Sequence, residues 1–259
     1  MSVAAAGASP THLILIPSYN TGPKLFETVA AARERWNPVW VVIDGSTDGT
    51  ATELTRRVAH DPGVRLLVQP HNRGKGAAIL TGLHAARAQG FTHALTMDAD
   101  GQHPAAAIPK FMAVSHQEPA ALVLGLPVFD ASAPRLRVVG RRVSNWWANL
   151  ETLWLGIQDS LCGFRVYPIA DLCAVMETSR WMRRFDFDVE AAVRLCWRGL
   201  PLVNKPVEIK YFQPEEGGVS HFNYVRDNLL LAGMHSRLML GFIARLPKLL
   251  KRRFRSSRR

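Results

Sequence analysis

Within F-T-H-A-L-T-M-D-A-D-G-Q-H-P, residues 91–104, two carboxylates and an amide follow an apolar run: Asp98, Asp100 and Gln102, at i, i+2 and i+4. In extended chain that spacing aims all three side chains the same way. Three oxygen-bearing groups at a strand end suit a hard divalent cation, Mg2+ or Mn2+, which takes few protein ligands and leaves room for phosphate oxygens. An Asp-Gly pair also marks turns, so a plain turn stands beside the metal reading. A calcium EF-hand loop fails, because its sixth slot is His103 rather than Gly and its twelfth is Pro109 rather than Glu.

The elements that must position these groups alternate along the chain. Apolar runs at Leu13–Ile16, Val39–Ile43, Val64–Val68, Thr92–Met97 and Leu122–Leu124 read as strands. Helical spacing fills the segments between them, from Thr21 to about Arg35, to about Ala59, from Gly76 to Ala88 and after Pro104. Such alternation predicts an α/β fold with a doubly wound, mainly parallel sheet, whose ligand crevice lies beyond the carboxyl ends of the strands. Four polar clusters fall at those ends: Pro17–Asn20, Asp44–Asp48, Asn72–Lys75 and Asp98–Gln102. The second half is less regular. It contains a helix over Arg135–Gly156, a helical stretch from Asp188 to Trp197, an extended Leu202–Ile209, a glycine-hinged loop around His221 and a long amphipathic helix from about Tyr224 to Leu250. The stripe of Trp146, Trp147 and Trp154 is read as core in preference to a lipid groove.

At 259 residues the chain suffices for one large domain or a domain with an appendage. Its three cysteines, Cys162, Cys173 and Cys196, are odd in number and share no metal-type spacing, so reduced thiols and a cytoplasmic setting are expected. No signal-peptide pattern opens the sequence, and no stretch approaches the ~20 apolar residues of a membrane span. Any membrane role is therefore expected to be peripheral. The net charge of +11 is unevenly spread: seven of 32 basic residues lie in the last twelve positions, with no acid among them. The excess belongs to a tail. A basic module docking on nucleic acid or anionic membrane without chemistry is the rival reading; it calls for dispersed basic residues with stacking aromatics. Here acids converge at the strand ends, so no nucleic-acid partner is expected. No G-x-G-x-x-G follows the first strand, and Asn72-Arg73-Gly74-Lys75-Gly76 lacks the leading glycine and the Ser/Thr of a P-loop.

The motifs I-P-S-Y-N, D-G-S-T-D-G-T, N-R-G-K-G-A-A and D-A-D-G-Q-H-P occur in the order and spacing of family-two glycosyltransferases, which the chain resembles over roughly residues 11–248. D-S-L-C-G-F-R is similar to the acceptor-side motif of the polyprenyl-phosphate sugar transferase branch. With F-D-F-D-V-E, G-G-V-S-H-F and R-D-N, it resembles most closely the small transferases of bacterial aryl-polyene or xanthomonadin-type pathways. Two departures stand out: many relatives carry two acids where this chain has Ile43-Asp44, and the membrane spans that follow many such catalytic domains have no counterpart. The resemblance implies a GT-A nucleotide-sugar fold, with a disordered 1–10, a catalytic domain over 11–222 and a helix with basic tail over 223–259. Within the catalytic domain, about 11–125 binds nucleotide and about 126–222 binds acceptor.

The implied activity is inverting, metal-dependent transfer of a sugar from a nucleotide-diphosphate sugar to a lipid-linked or polyprenyl-phosphate acceptor, at the cytoplasmic membrane face. The donor pocket implied consists of Pro17, Tyr19, Asn20 and Asp44, with Asp98 on ribose or metal and Asp100 and Gln102 on the metal. Lys75 offers a compact charge to the diphosphate; a solvated loop lysine is the plainer reading. Asp159 is the first candidate base for a hydroxyl acceptor and Asp188 the second, with Asp186 and Glu190 nearby. A helix N-terminal acid is the alternative for Asp188 and Glu190. Arg165 is expected on an acceptor or diphosphate oxygen, and His221 closing over the diphosphate. Anionic membrane is expected to attract the amphipathic helix and its basic end, with lipid met after about Gly241.

Overall fold

The computed structural model describes residues 8–129, 135–210 and 224–256. His221 and its loop lie outside the described residues. The described residues form seven strands: β1 (His12–Ser18), β2 (Val39–Asp44), β3 (Val64–Gln69), β4 (His93–Thr96), β5 (Leu122–Phe129), β6 (Arg165–Pro168) and β7 (Leu202–Ile209). They form one sheet in the order β3-β2-β1-β4-β6-β5-β7. The strands β1 to β4 run parallel, as does the β5/β7 pair; β6 runs antiparallel between β4 and β5. The expected doubly wound, mainly parallel sheet is thus observed, with one reversed strand.

Side-chain alternation sorts the core into two layers. Ile14 and Ile16 of β1 pack with Leu25 and Val29 of α1 (Lys24–Arg35) and Phe111 of α4 (Ile108–Gln117), while α2 (Thr50–Arg57) adds Leu54. Leu13 and Leu15 face the other way, onto Ile79 and Leu83 of α3 (Lys75–Ala88), Leu172 of α6 (Ile169–Glu177) and Val193 of α7 (Phe187–Arg198). Outside these lie α5 (Arg135–Glu151) and α8 (Tyr224–Ser256), which contact each other and α7. Both sheet faces are covered, so the strands can be apolar throughout.

Several expectations need correction. The helix expected over 135–156 ends at Glu151, and α6 was not foreseen. The ordered chain starts before residue 11, because Ser9 N–H donates to Asn37 O and its hydroxyl accepts from His12 N–H. Trp146 and Trp154 are half-exposed, so the tryptophan stripe is not core; only Trp147 turns inward, onto His235. The 33-residue α8 buries Asp227, Met234, Leu238, Phe242 and Leu249 along one face, and Arg252 donates to Cys196 O. Docking therefore continues well past Gly241 on that face, while Ile243, Leu250 and Phe254 of the same stretch stay exposed. Contrary to the composition-based expectation, the segment Arg226–Phe254 is long and apolar enough to cross a membrane, by length and composition alone.

At the opposite end of the sheet from the polar clusters, the β1/β4 register sets His12 beside His93. Their rings stack at 4.4 Å between centroids, and His116 lies 3.9 Å from His12 on another side. Burial, with His93 and then His116 beside it, lowers His12 to about 3, and burial lowers His93 as well. A histidine kept neutral in the fold but free to protonate when unfolded costs stability below its ordinary pKa, near 6.5. Stability is therefore complete above that pH and declines as pH falls toward the folded value. Between pH 6.5 and 5 the unfolding free energy should drop by about 2 kcal/mol through His12 alone. Urea unfolding of wild type and His12→Gln across that range checks it: the substitution should flatten the slope.

Candidate active site

Strand-end loops surround a crevice of about 640 Å3, lined among others by Pro17, Tyr19, Asp44, Lys75, Asp98, Asp100 and Asp188. These come from β1, β2, the start of α3, the segment after β4 and the first turn of α7. Parallel order makes the convergence necessary: β1, β2 and β4 end on one edge, and the loops leaving them meet there.

Asp44 is buried at the crevice floor. Its two carboxylate oxygens accept the Arg73 and Gly74 amides at 2.9 and 2.7 Å. Gly74, at φ 98° and packed on Arg183 O, gives the chain a conformation that a side chain would strain. Asp44 thus shapes the third loop, with one lone pair on each oxygen left over for a ligand. Asn20 is used internally: its Oδ1 accepts Thr47 N–H at 2.7 Å and its backbone N–H donates to Ser46 Oγ, clipping the first loop to the second. It does not line the crevice.

The i, i+2, i+4 argument fails at Gln102. The strand stops at Thr96, the chain turns at 99–101, and Gly101 takes φ 76°. Asp98 and Asp100 still reach the crevice, but across a turn. Gln102 enters through its backbone, donating to Asp100 Oδ1 at 3.0 Å while its carbonyl accepts Lys210 N–H. Its side chain is off the crevice wall. Behind Asp98, the buried His103 ring accepts the Asp98 N–H through Nδ1, which assigns its proton to Nε2.

Lys75 joins the parts. Its Nζ lies 2.7 Å from Asp98 Oδ1 and 2.7 Å from Asp188 Oδ2. Burial opposes the Lys75 charge, but Asp188 and Asp98 outweigh it and raise the ammonium above the ordinary lysine range. Burial likewise pushes Asp98 up, and Lys75, aided by His103 and Arg165, brings it below the usual carboxylate value. Asp100 goes the other way: burial first, and then the Asp98 charge, raise it to about 6. Two half-buried carboxylates close enough for their charges to oppose each other offer oxygen ligands that fit a hard divalent ion. Asp188 Oδ1, buried and without a hydrogen-bond partner, is further unused acceptor capacity. The residues present therefore fit Mg2+ or Mn2+, which Asp98 and Asp100 would hold.

The two candidate bases separate. Asp159 does not line the crevice: its Oδ1 accepts Leu161 N–H, Cys162 N–H and Arg141 Nη1, and its Oδ2 accepts Asn145 Nδ2. Those bonds fold the D-S-L-C-G loop and turn the carboxylate into it, away from the crevice. Asp188 does line the crevice. Asp186 accepts the Met182 and Arg184 amides, and Glu190 pairs with Arg194 and Arg237, so both are structural. Arg165 is fully buried, donating to Asp188 O and Tyr167 Oη, and stands behind the carboxylates instead of on the crevice wall. Its strand position explains this, because β6 lies inside the sheet. Sequence reading missed Arg184 and Arg226, both on the wall. The R-R-F-D and R-D-N stretches carry them, but nothing in their spacing says which arginine turns inward.

The family model described as glycosyl transferase family 2 matches residues 13–170. Among curated relatives, an undecaprenyl-phosphate mannosyltransferase of Micrococcus luteus is 28% identical over 75% of this chain and 82% of its own length. A dolichyl-phosphate beta-glucosyltransferase of Trichomonas vaginalis is 30% identical over 88% and 75%. A polyprenol monophosphomannose synthase of Mycolicibacterium smegmatis is 26% identical over 83% of each. The solved glucosyl-3-phosphoglycerate synthase of Mycobacterium tuberculosis, in complex with Mn2+, UDP-glucose and phosphoglyceric acid, superposes with a TM-score of 0.62. It does so at 16% identity over 92% of this chain and 80% of that one. That likeness is one of fold, and it is the GT-A nucleotide-sugar fold that the motif resemblance implied. With a sheet, a crevice and a family model that agree across more than half its length, this chain belongs to glycosyl transferase family 2 and is a glycosyltransferase.

Proposed function

We propose that the protein is an inverting, divalent-metal-dependent enzyme that moves a hexosyl group from a nucleotide-diphosphate sugar to a polyprenyl-phosphate acceptor at the cytoplasmic membrane face. The observation that carries this reading is the crevice itself: paired Asp98 and Asp100 opposite Lys75, with Arg184 and Arg226 on the same wall. Pro17, Tyr19 and Asp44 take the nucleoside. When bound between Asp98 and Asp100, the metal supplies Lewis-acid neutralisation of the departing diphosphate. Arg184 and Arg226 have the planar fork suited to phosphate oxygens on donor or acceptor. An acceptor phosphate oxygen attacks the anomeric carbon opposite the leaving group; the new C–O bond forms as the bond to the diphosphate breaks, which inverts that carbon. A phosphate is already ionised and needs no base. This agrees with an Asp159 committed to its loop and an Asp188 engaged by Lys75. The activities printed for the relatives, transfer to undecaprenyl, dolichyl and polyprenol phosphates, support the same acceptor. The motif resemblance to aryl-polyene and xanthomonadin-type transferases supports a role in a pathway of that kind.

Membrane attachment is assigned to the outer face of α8. Leu229, Leu240, Ile243, Leu250 and Phe254 are exposed there, opposite the docked face, with Lys248 and Lys251 exposed nearby. Val139, Val143 and Trp146 expose a second apolar row on α5. Docking of α8 along α5 and α7 favours lying on the surface over crossing it.

Radiolabelled nucleotide-diphosphate glucose and mannose, incubated with a short polyprenyl phosphate and Mn2+ or Mg2+, should give a lipid-extractable glycosyl phosphate. Asp100→Asn should abolish it, since a neutral amide holds a hard ion poorly. Product only with a hydroxyl acceptor, or undiminished turnover in the variant, defeats the assignment.

Asp159→Asn should act on the fold before the chemistry. It strips the charge facing Arg141 and sets an amide donor against the Asn145 Nδ2 donor, at about 3 kcal/mol of stability. Thermal unfolding should register this loss, whereas a stable variant with a deep loss of turnover would restore Asp159 as a base.

Ile243→Glu combined with Phe254→Glu should leave the melting temperature nearly unchanged and weaken binding to anionic vesicles roughly 100-fold, from about 3 kcal/mol of lost apolar burial. Sedimentation equal to wild type would show that α8 does not meet lipid.

A further inference from the structure

The Lys75 ammonium belongs to three elements at once. It stands at the first position of α3, yet touches Asp98 beyond β4 and Asp188 in the first turn of α7. The pocket around it is built to admit it. A Cβ at Gly163 would come 2.8 Å from both Lys75 Nζ and Asp98 Oδ2, so any side chain there would crowd the ion pair. Below, Arg165 donates to Asp188 O while its own Nε and Nη2 lack partners, as does Asp188 Oδ1. The cluster therefore holds acidic and basic capacity that is not mutually spent. Lysine suits a temporary occupant: a compact charge on a flexible four-carbon stem, unlike the rigid, wedged Arg165. A divalent ion on Asp98 and Asp100 would face that ammonium at close range, and like charges so placed repel.

We propose that Lys75 is the resident counter-ion of the metal-free enzyme, spanning Asp98 and Asp188 in place of the divalent ion, and that metal binding releases it toward the donor diphosphate. The proposal rests on the metal-dependent reading above. It makes metal alone a weak ligand, because each ion must displace the ammonium. It also couples metal to donor, because the freed lysine becomes available to the diphosphate.

The test uses the full chain and Mn2+ alone, counting free ion by its paramagnetic resonance signal. Lys75→Met should bind Mn2+ at least about tenfold more tightly than wild type, and Lys75→Arg, which keeps the charge, should stay near wild type. The melting temperature of Lys75→Met should fall without metal and recover with Mn2+, since the ion then replaces the missing cation between the carboxylates. Should Lys75→Met fail to fold, ammonium-detected NMR on wild type decides. A protected side-chain 15N signal, assigned by its absence in Lys75→Arg, should shift or broaden as Mg2+ saturates the site. Equal Mn2+ affinity in wild type and Lys75→Met, or a Lys75 signal unmoved by saturating Mg2+, overturns this proposal alone. No Mn2+ bound by either protein at millimolar concentration overturns the metal reading and this proposal with it.

Discussion

One ammonium held between two carboxylates ties the active crevice together. Lys75 opens α3, Asp98 follows β4 and Asp188 opens α7, so the ion-paired trio fixes three elements that no backbone hydrogen-bond ladder joins. Burying charges is costly unless they are paired, and here each charge is tolerated because of its neighbours. Remove the pairing and the crevice loses the arrangement that lets acidic oxygens stand close together. The glycines around it belong to the same constraint. Gly74 lets the chain turn onto Asp44, and Gly163 leaves room for the pair itself.

A second constraint is the reversed strand. The D-S-L-C-G loop crosses the carboxyl ends of the parallel strands, so the chain that follows it enters the sheet from the crevice side and must run back antiparallel as β6. Asp159 gathers that loop through two amides, an asparagine and Arg141. The motif that reads as acceptor chemistry is thus also the hinge on which the two halves of the sheet join. Helix α8 closes the other side, burying one apolar face on α5 and α7 and leaving a second to the exterior. Two apolar stripes on one helix serve two environments, one protein and one, on our reading, lipid.

Strand and helix alternation, the four polar strand ends and the family motifs were legible in the chain because they depend on local patterning. Runs such as Leu13–Ile16 and Val39–Ile43 can be buried only as strands covered on both faces, and parallel order then sends the loops after them to one edge. Asp44, Lys75, Asp98, Asp100 and Asp188 all reach that edge. What local pattern could not settle was direction beyond a strand's end. Gln102 left the crevice because the chain turned at Gly101, and Arg165 was swallowed by the sheet because β6 lies between two other strands.

Fold class, the edge on which chemistry collects and the kinds of group gathered there follow from period and composition along the chain. Which of those groups face one another is set by packing between distant segments. Whether Asp159 is a base or the knot of a loop depends on amides and an arginine brought from elsewhere in the chain, and whether α8 is free or docked depends on faces that α5 and α7 present to it. Long-range pairing of charges and surfaces is a property of the assembled fold, and no spacing along the chain encodes it.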